Sequence, residues 1–286
     1  MKIIKAKVLG YCMGVRRAVE IAGREAAGAG TSGVFTIGPL IHNPQVLESL
    51  RKKGVDVLNE DRVPDDLGGH TLIIRAHGIS PDLETSLRNC GARLVDATCP
   101  KVHASQMKAR SLSAEGCRIF LAGEQHHGEV IGIQGYAPDC IVVADPGEAG
   151  KAAEALRAEA PDTRCALLGQ TTISRDEFEE IGNTLKEYFP GIKIIDTICG
   201  ATRDRQEALR ELCSAVDAVI IIGGKASSNT RRLLAIAEKL GKPAWLAETK
   251  DDLPPDIGKY GTVGLSAGAS TPGYIIDEIE EALKKL

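Results

Sequence analysis

The chain has 286 residues, room for two or three domains, with 43% hydrophobic residues, 3% aromatic residues and a formal net charge of −4. Mixed charge signs without a long basic run exclude a duplex-binding or anionic-membrane surface, and the scarcity of aromatics excludes a stacking platform for single-stranded nucleic acid. The 31 glycines fit an α/β chain with many tight strand–helix turns.

The first run, KIIKAKVL, reads as a strand and is too short for a signal peptide. It passes through Cys12 into the helical pattern VRRAVEIAGREAA, with Val15, Ala18, Val19 and Ala22 on one face. The strands GVFTIG and TLIIRA follow, and they end in the polar turns FTIGPLIHN, with His42, and LIIRAHGIS, with His77. The line RLVDATCPKVHASQ, residues 93–106, then returns as KIIDTICGATRDRQ, residues 193–206, with Cys99 and Cys199 in the same slot. Between the copies lie the strands CRIFLAG, CIVVAD and CALLGQ. Their turns FLAGEQHHGEV and LLGQTTIS carry His127, Glu129 and Thr171.

After the second copy, RQEALRELCSAV places Ala208, Leu209, Leu212 and Val216 on one helical face. The strand AVIIIGG leads into the turn GGKASSNT, with Ser227, Ser228 and Asn229. The helix RRLLAIAEKLG follows, with Leu233, Leu234, Ala237 and Leu240 inward and Gly241 as its stop. PAWLAE and TVGLSA close the series, and the last turn, GLSAGASTP, carries Ser270. The longest apolar runs are strand-sized, far short of a membrane span, and a cytoplasmic protein is expected. None of the eight cysteines forms a CxxC pair, so neither a zinc ribbon nor a thioredoxin motif has support, and disulfides are not expected in a reducing cytosol.

Strands alternating with helices indicate parallel βαβ units. KAKVLGYCMGVRRAVE is a degenerate third copy of the repeat, again a strand running into a cysteine and then a helix. Cys12, Cys99 and Cys199 therefore head three similar segments. The expectation is three similar α/β lobes in a pseudo-threefold trefoil around a central iron–sulfur cavity. Lobe one spans 12–98, lobe two 99–196, and lobe three 197–286 together with the N-terminal strand 1–11. Sites in parallel sheets form beyond the strand C-termini, where the cysteines and all six polar turns lie.

Three thiols at strand ends before helices favour the thiolate and suit an iron–sulfur cluster with one iron left open. Cys90, Cys117, Cys140, Cys165 and Cys213 lack that placement and read as packing residues. The six turns are rich in donors and poor in full positive charge, with only Arg75 and Lys225 nearby. Serines in such turns often only cap helices, but six turns of this kind together point to a diphosphate held by helix N-termini and histidines. His70 and His103 read as structural, and His126 is left open. Glu129 is the only carboxylate in the six turns that suits proton delivery.

The motifs GYCMGVRRAV, HNPQV, RAHGIS, DATCP, HHGEV, QTT, CGATRDRQ, ASSN and SAGAST, in this order, resemble those of the IspH/LytB family of hydroxymethylbutenyl diphosphate reductases across almost the whole chain. The resemblance implies a 4Fe–4S cluster on Cys12, Cys99 and Cys199, with an apical iron open to the substrate hydroxyl. It implies diphosphate binding by His42, His77, His127, Ser227, Ser228, Asn229 and Ser270. It also implies that Glu129 is the proton donor and that Thr171 orients the hydroxyl. The products would be isopentenyl and dimethylallyl diphosphates. The implied partners are a small-molecule diphosphate and an electron donor such as ferredoxin or flavodoxin, with the chain a monomer or weak homodimer. Gly128 departs from the pattern, since many members carry proline there. The freer backbone is expected to loosen the geometry at Glu129, and a proline at 128 to be tolerated. The competing reading is a non-enzymatic iron–sulfur sensor of a phosphorylated ligand, which has no need of Glu129 or Thr171. A phosphatase or transferase would leave the three equivalent cysteines unexplained.

Overall fold

A strand buried on both faces is a continuous apolar run, and a helix that packs on it needs one apolar stripe. The chain alternates these two patterns throughout. The computed structural model describes residues 1–286, apart from the side chain of Asp61. In chain order the elements are β1 (Lys2–Lys5), α1 (Met13–Gly28), β2 (Val34–Ile37), α2 (Pro44–Arg51), β3 (Val55–Leu58), β4 (Thr71–Ile74), α3 (Pro81–Asn89) and β5 (Arg93–Asp96). Then come α4 (Pro100–Ala114), β6 (Arg118–Ala122), α5 (Gly128–Tyr136), β7 (Ile141–Val143), α6 (Pro146–Glu159), β8 (Cys165–Gly169), α7 (Arg175–Tyr188) and β9 (Lys193–Ile194). The last are α8 (Gly200–Ser214), β10 (Ala218–Ile222), α9 (Ser228–Lys239), β11 (Ala244–Ala247), β12 (Thr262–Ala267) and α10 (Gly273–Leu283).

Among the described residues the strands form three four-stranded parallel sheets, ordered β3-β2-β4-β5, β7-β6-β8-β9 and β1-β12-β10-β11. The order is the same each time. One strand pairs with the next in sequence on one side and with the third on the other, and a fourth adds beyond the third. In the last sheet the fourth place is taken by β1, from the other end of the chain. The strand that leads to a cysteine is thus always the one beside the third strand: β1 before Cys12, β5 before Cys99, β9 before Cys199.

The chain divides into two units. One holds Met1–Arg16, Ile41–Ser49 and Gly200–Leu286, and the other holds Arg17–Leu40 and Leu50–Cys199. In the first, Ala218, Ile220 and Ile222 face one core with Val263, Leu265 and Ile279. Val219 and Ile221 face the other, with Leu209, Leu212 and Val216. Consecutive residues of one strand serve opposite cores because strand side chains alternate. In the second unit β6 and β8 do the same: Phe120 and Leu167 pack with Phe178 and Ile181, whereas Ile119, Leu121 and Leu168 pack with Leu112 and Ile133. The β2–β5 sheet packs Ile37, Leu72 and Ile74 against Ile79 and Leu87.

One expected core position differs. Leu240 is 43% exposed. The helix ends at Lys239, so Leu240 is its cap residue and leaves the buried stripe before Gly241, at φ +74°, turns the chain.

Ile220 lies in the middle of β10 with no solvent exposure. Ile220→Ala should lower the stability of its unit by about 2–5 kcal/mol, and Ile220→Val by about 0.5–1.5 kcal/mol. Chemical denaturation of the two variants measures the difference.

Candidate functional site

The repeated line acquires a physical reason in the second unit. Asp96 Oδ1 accepts from the Thr98 amide at 2.8 Å, and Asp196 Oδ1 accepts from the Ile198 amide at 2.9 Å. Each aspartate closes a side-chain turn that carries the strand end towards its cysteine. The third copy has no aspartate, and Gly10, at φ +81°, makes the bend instead.

After the bend each cysteine resumes the parallel ladder. The Cys99 amide donates to the Ala76 carbonyl at 2.9 Å, Cys199 to Thr171 at 3.0 Å, and Cys12 to Ala269 at 3.1 Å. All three acceptors lie two residues past the end of the third strand of a sheet. Each cysteine is therefore pinned beside a turn that the sequence reading singles out: Cys99 beside His77, Cys199 beside Thr171, Cys12 beside Ser270. Cys99 is the N-cap residue of α4, without a side-chain cap bond. The Val15 amide points at Cys12 Sγ from 3.5 Å.

Two arginines missing from the sequence reading brace these bends. On α1, Arg17 donates to the carbonyls of Asp96 and Thr98, at 3.2 and 3.1 Å. On α8, Arg205, 2% exposed, donates to Gly10 at 2.6 Å and to Ala201 at 2.8 Å. Their signal lies in GVRRAV and TRDRQ: an arginine five or six residues after a cysteine, on the helix that the cysteine heads.

The eight cysteines, none of them in a disulfide, sort by burial. Cys12, Cys99 and Cys199 are half-buried and the other five are buried. Burial pushes the Cys140 thiol up to about 12 and, as the leading cause, the Cys165 thiol up to about 11, from an ordinary value of 9.0. Such thiols are poor metal ligands near neutral pH. The donor set that fits an iron–sulfur group is the half-buried one.

In the second unit Glu129 is 1% exposed and Thr171 is 6% exposed. Thr171 donates twice to the carboxylate, from its amide to Oε1 at 2.6 Å and from its hydroxyl to Oε2 at 2.8 Å. His127 is the N-cap of α5, and its Nδ1 accepts from the Glu129 amide at 3.2 Å. His77 packs edge-on against His127, with ring centroids 5.1 Å apart.

In the first unit Ser227 caps α9 by accepting from the Thr230 amide at 3.4 Å. The capping role accounts for its acceptor side and leaves the hydroxyl proton to give. Ser228 receives the Arg232 guanidinium. Asn229 is 5% exposed, and its Nδ2 is buried without a hydrogen-bond partner, a donor set that an anion would complete. Ser270 donates to the His42 carbonyl at 3.2 Å. That carbonyl also lies 2.5 Å from where a Cβ would stand on Gly224, which only glycine allows.

The two nearby cations are both spoken for. Arg75 pairs with Glu60, and Lys225 pairs with Asp252 at 2.8 Å, which holds the Asp252 carboxyl below its usual range. His70 is structural, as expected: its Nδ1 accepts from the Gly33 amide at 2.9 Å.

Residues 3–284 match the family model described as LytB protein. A protein of Treponema denticola named 4-hydroxy-3-methylbut-2-enyl diphosphate reductase is 43% identical over 293 residues, covering 99% of both chains. One of the same name from Aquifex aeolicus is 39% identical and covers 99% of this chain and 96% of its own. The solved structure of the E-1-hydroxy-2-methyl-but-2-enyl-4-diphosphate reductase from Plasmodium falciparum superposes with a TM-score of 0.88 at 30% identity, covering 100% of this chain and 87% of that one.

Iodoacetamide at about pH 8 should modify Cys12, Cys99 and Cys199 of the metal-free chain and spare the other five. Raising the pH to about 10 should still spare Cys140 and Cys165, because their native thiols stay protonated. The unfolded thiols ionise near 9.0, so the stability these two contribute is whole below that pH and is lost as pH climbs towards 11–12. Peptide mass mapping at each pH reads the pattern.

Proposed function

The chain belongs to the LytB family, and on that premise we propose that it reduces 4-hydroxy-3-methylbut-2-enyl diphosphate to isopentenyl and dimethylallyl diphosphates, the last step of the methylerythritol phosphate route. Cys12, Cys99 and Cys199 hold a 4Fe–4S cluster. The support is their shared ladder position and half-burial, against five buried thiols. When bound, the cluster would supply the electrons for the reduction. Ferredoxin or flavodoxin is the donor, and the chain works in the cytoplasm as a monomer or weak homodimer. Among the described residues no helix is long and apolar enough to cross a membrane.

The observation that carries the reading is the buried Glu129–Thr171 pair. A carboxyl 1% exposed is costly to keep unless its charge or its proton is used. Ionised, Glu129 accepts both Thr171 bonds. Protonated, it can give Oε2–H to the Thr171 hydroxyl oxygen, which frees the Thr171 proton for the departing hydroxyl of the substrate. The hydroxyl then leaves as water rather than hydroxide, which is favourable near neutral pH. A sensor needs no such relay. The diphosphate is held by side chains of the polar turns: His42, His77, His127, Ser227, Ser228, Asn229 and Ser270. The helix N-termini of α5 and α9 add positive potential.

With the cluster reconstituted and reduced, single-turnover consumption of the alcohol should fall by about 10²–10⁴-fold in Glu129→Gln, with iron content and substrate affinity near those of the parent chain. Thr171→Val should fall less, because water can replace a hydroxyl relay in part. Unchanged dehydration in Glu129→Gln would remove the carboxyl from the reaction and favour the sensor reading. Asn229→Ala should weaken diphosphate binding by about ten- to a hundredfold, measured by calorimetry, without altering iron content.

A further inference from the structure

Gly128 is the first residue of α5, and its φ lies outside the left-handed region. Glycine is a poor choice for a first helical turn when the backbone does not demand it. Proline would suit this backbone, since it is favoured at the first helical position. His127, at φ −75° and ψ 135°, has the extended conformation that precedes a proline. The obstacle is a side chain. A Cβ on residue 128 would stand 2.8 Å from Arg75 Nη2, 3.0 Å from Cζ and 3.2 Å from Nε. The guanidinium fills the space that any side chain at 128 would take.

Arg75 has little freedom to withdraw. It is 7% exposed, and its Nη1 is held by Glu60. Nη1 also fills the space beside Gly38, where a Cβ would meet it. Its Nε is buried without a hydrogen-bond partner, a donor left unmatched for the sake of where the group sits. Two further glycines extend the contact along the same face of α5. A Cβ on Gly132 would lie 3.6 Å from the His77 carbonyl, and one on Gly135 would lie 2.9 Å from Ser80 Cα. The helix is seated on the turn 75–81, with Arg75 as its contact nearest Glu129.

We propose that Arg75 is a positioning residue for Glu129. Its guanidinium, anchored by Glu60, sets the height of the first turn of α5 and thereby the two short bonds between the Glu129 carboxylate and Thr171. The proposal rests on the reductase reading, in which Glu129 delivers the proton. It differs from the expectation that proline at 128 would be tolerated, because a Cβ there would meet the Arg75 guanidinium that Glu60 holds. It also replaces the expectation of a loosened turn, because Gly128 here makes room for a brace.

The test is a double-substitution cycle of Arg75→Ala and Gly128→Pro, each alone and together, with Arg75→Lys as the variant that keeps charge without the planar group. The first readout is hydrogen exchange of the Thr171 amide in the metal-free chain, which needs no turnover. Gly128→Pro alone should speed that exchange by about tenfold, and Arg75→Ala should do so to a similar degree. The double variant should be no faster than Arg75→Ala alone, because the clash is gone and proline restores a rigid start. Arg75→Lys should resemble Arg75→Ala. In the loaded enzyme the same variants should lose about tenfold in kcat with KM within about twofold. Strictly additive effects, or a lowered melting temperature with unchanged Thr171 exchange, would overturn the proposal and leave Arg75 a packing residue. If the unaltered chain did not reduce the alcohol, the reductase reading would fall, and the exchange cycle would still decide whether Arg75 seats α5.

Discussion

One backbone hydrogen bond, made three times, fixes where three of this chain's cysteines stand. Each of Cys12, Cys99 and Cys199 donates its amide to a carbonyl two residues beyond the third strand of a sheet. The bond extends a parallel ladder past the point where the strand itself has ended. It holds the cysteine at the C-terminal edge of the sheet, where polar turns gather, and lets a helix begin at once. The half-burial of these three thiols follows, because a residue at a sheet edge cannot sink into the core as Cys140 and Cys165 do. Asp96, Asp196 and Gly10 make the bends that bring the chain to that bond, and Arg17 and Arg205 tie the bends down.

On the proposed reading the polar turns must bind a highly charged group without a cluster of lysines. Arg75 and Lys225 pair with Glu60 and Asp252, and Arg232 reaches Ser228, so the other donors of the turns are amides, hydroxyls and imidazoles. Such donors keep their place because they also serve local structure. Ser227 and His127 each cap the helix they start, which fixes the side chain before any ligand arrives. Capping and binding are thus not rival accounts of these residues. In the cap, Ser227 Oγ accepts from the Thr230 amide and the His127 ring accepts from the Glu129 amide. Glu129 differs, since it is buried and acidic, and both of its carboxylate oxygens accept from Thr171.

The strands legible in the sequence include those buried throughout, such as AVIII and CALLG, and also the partly exposed β1, whose apolar pattern continues through KIIKAKVL. The short edge strands β3 and β5 are not legible as such: VDVL and RLVD are half-exposed, and four residues are too few to show a period. The cysteines were legible because a repeat compares each with its equivalents, and no single cysteine could have been sorted that way. The aspartate in the repeat was visible, but its role in a turn was not, since that depends on a bond to an amide two residues on. The pairing of Glu129 with Thr171 joins residues 42 positions apart, and the two were linked only through their place in turns of one lobe. Arg75 was noted as a charge near the turns. That it fills the place of a missing side chain at Gly128 could be learned only from the packing.

The measurement closest to the central claim is the iron and sulfide content, with the Mössbauer spectrum, of eight variants reconstituted without oxygen, each with one cysteine changed to serine. The account predicts that the variants at Cys12, Cys99 and Cys199 lose the cluster. Those at Cys90, Cys117, Cys140, Cys165 and Cys213 should keep it, with one iron distinct from the rest. Retention of a full cluster by Cys99→Ser, or its loss from a folded Cys117→Ser or Cys165→Ser, would contradict the account.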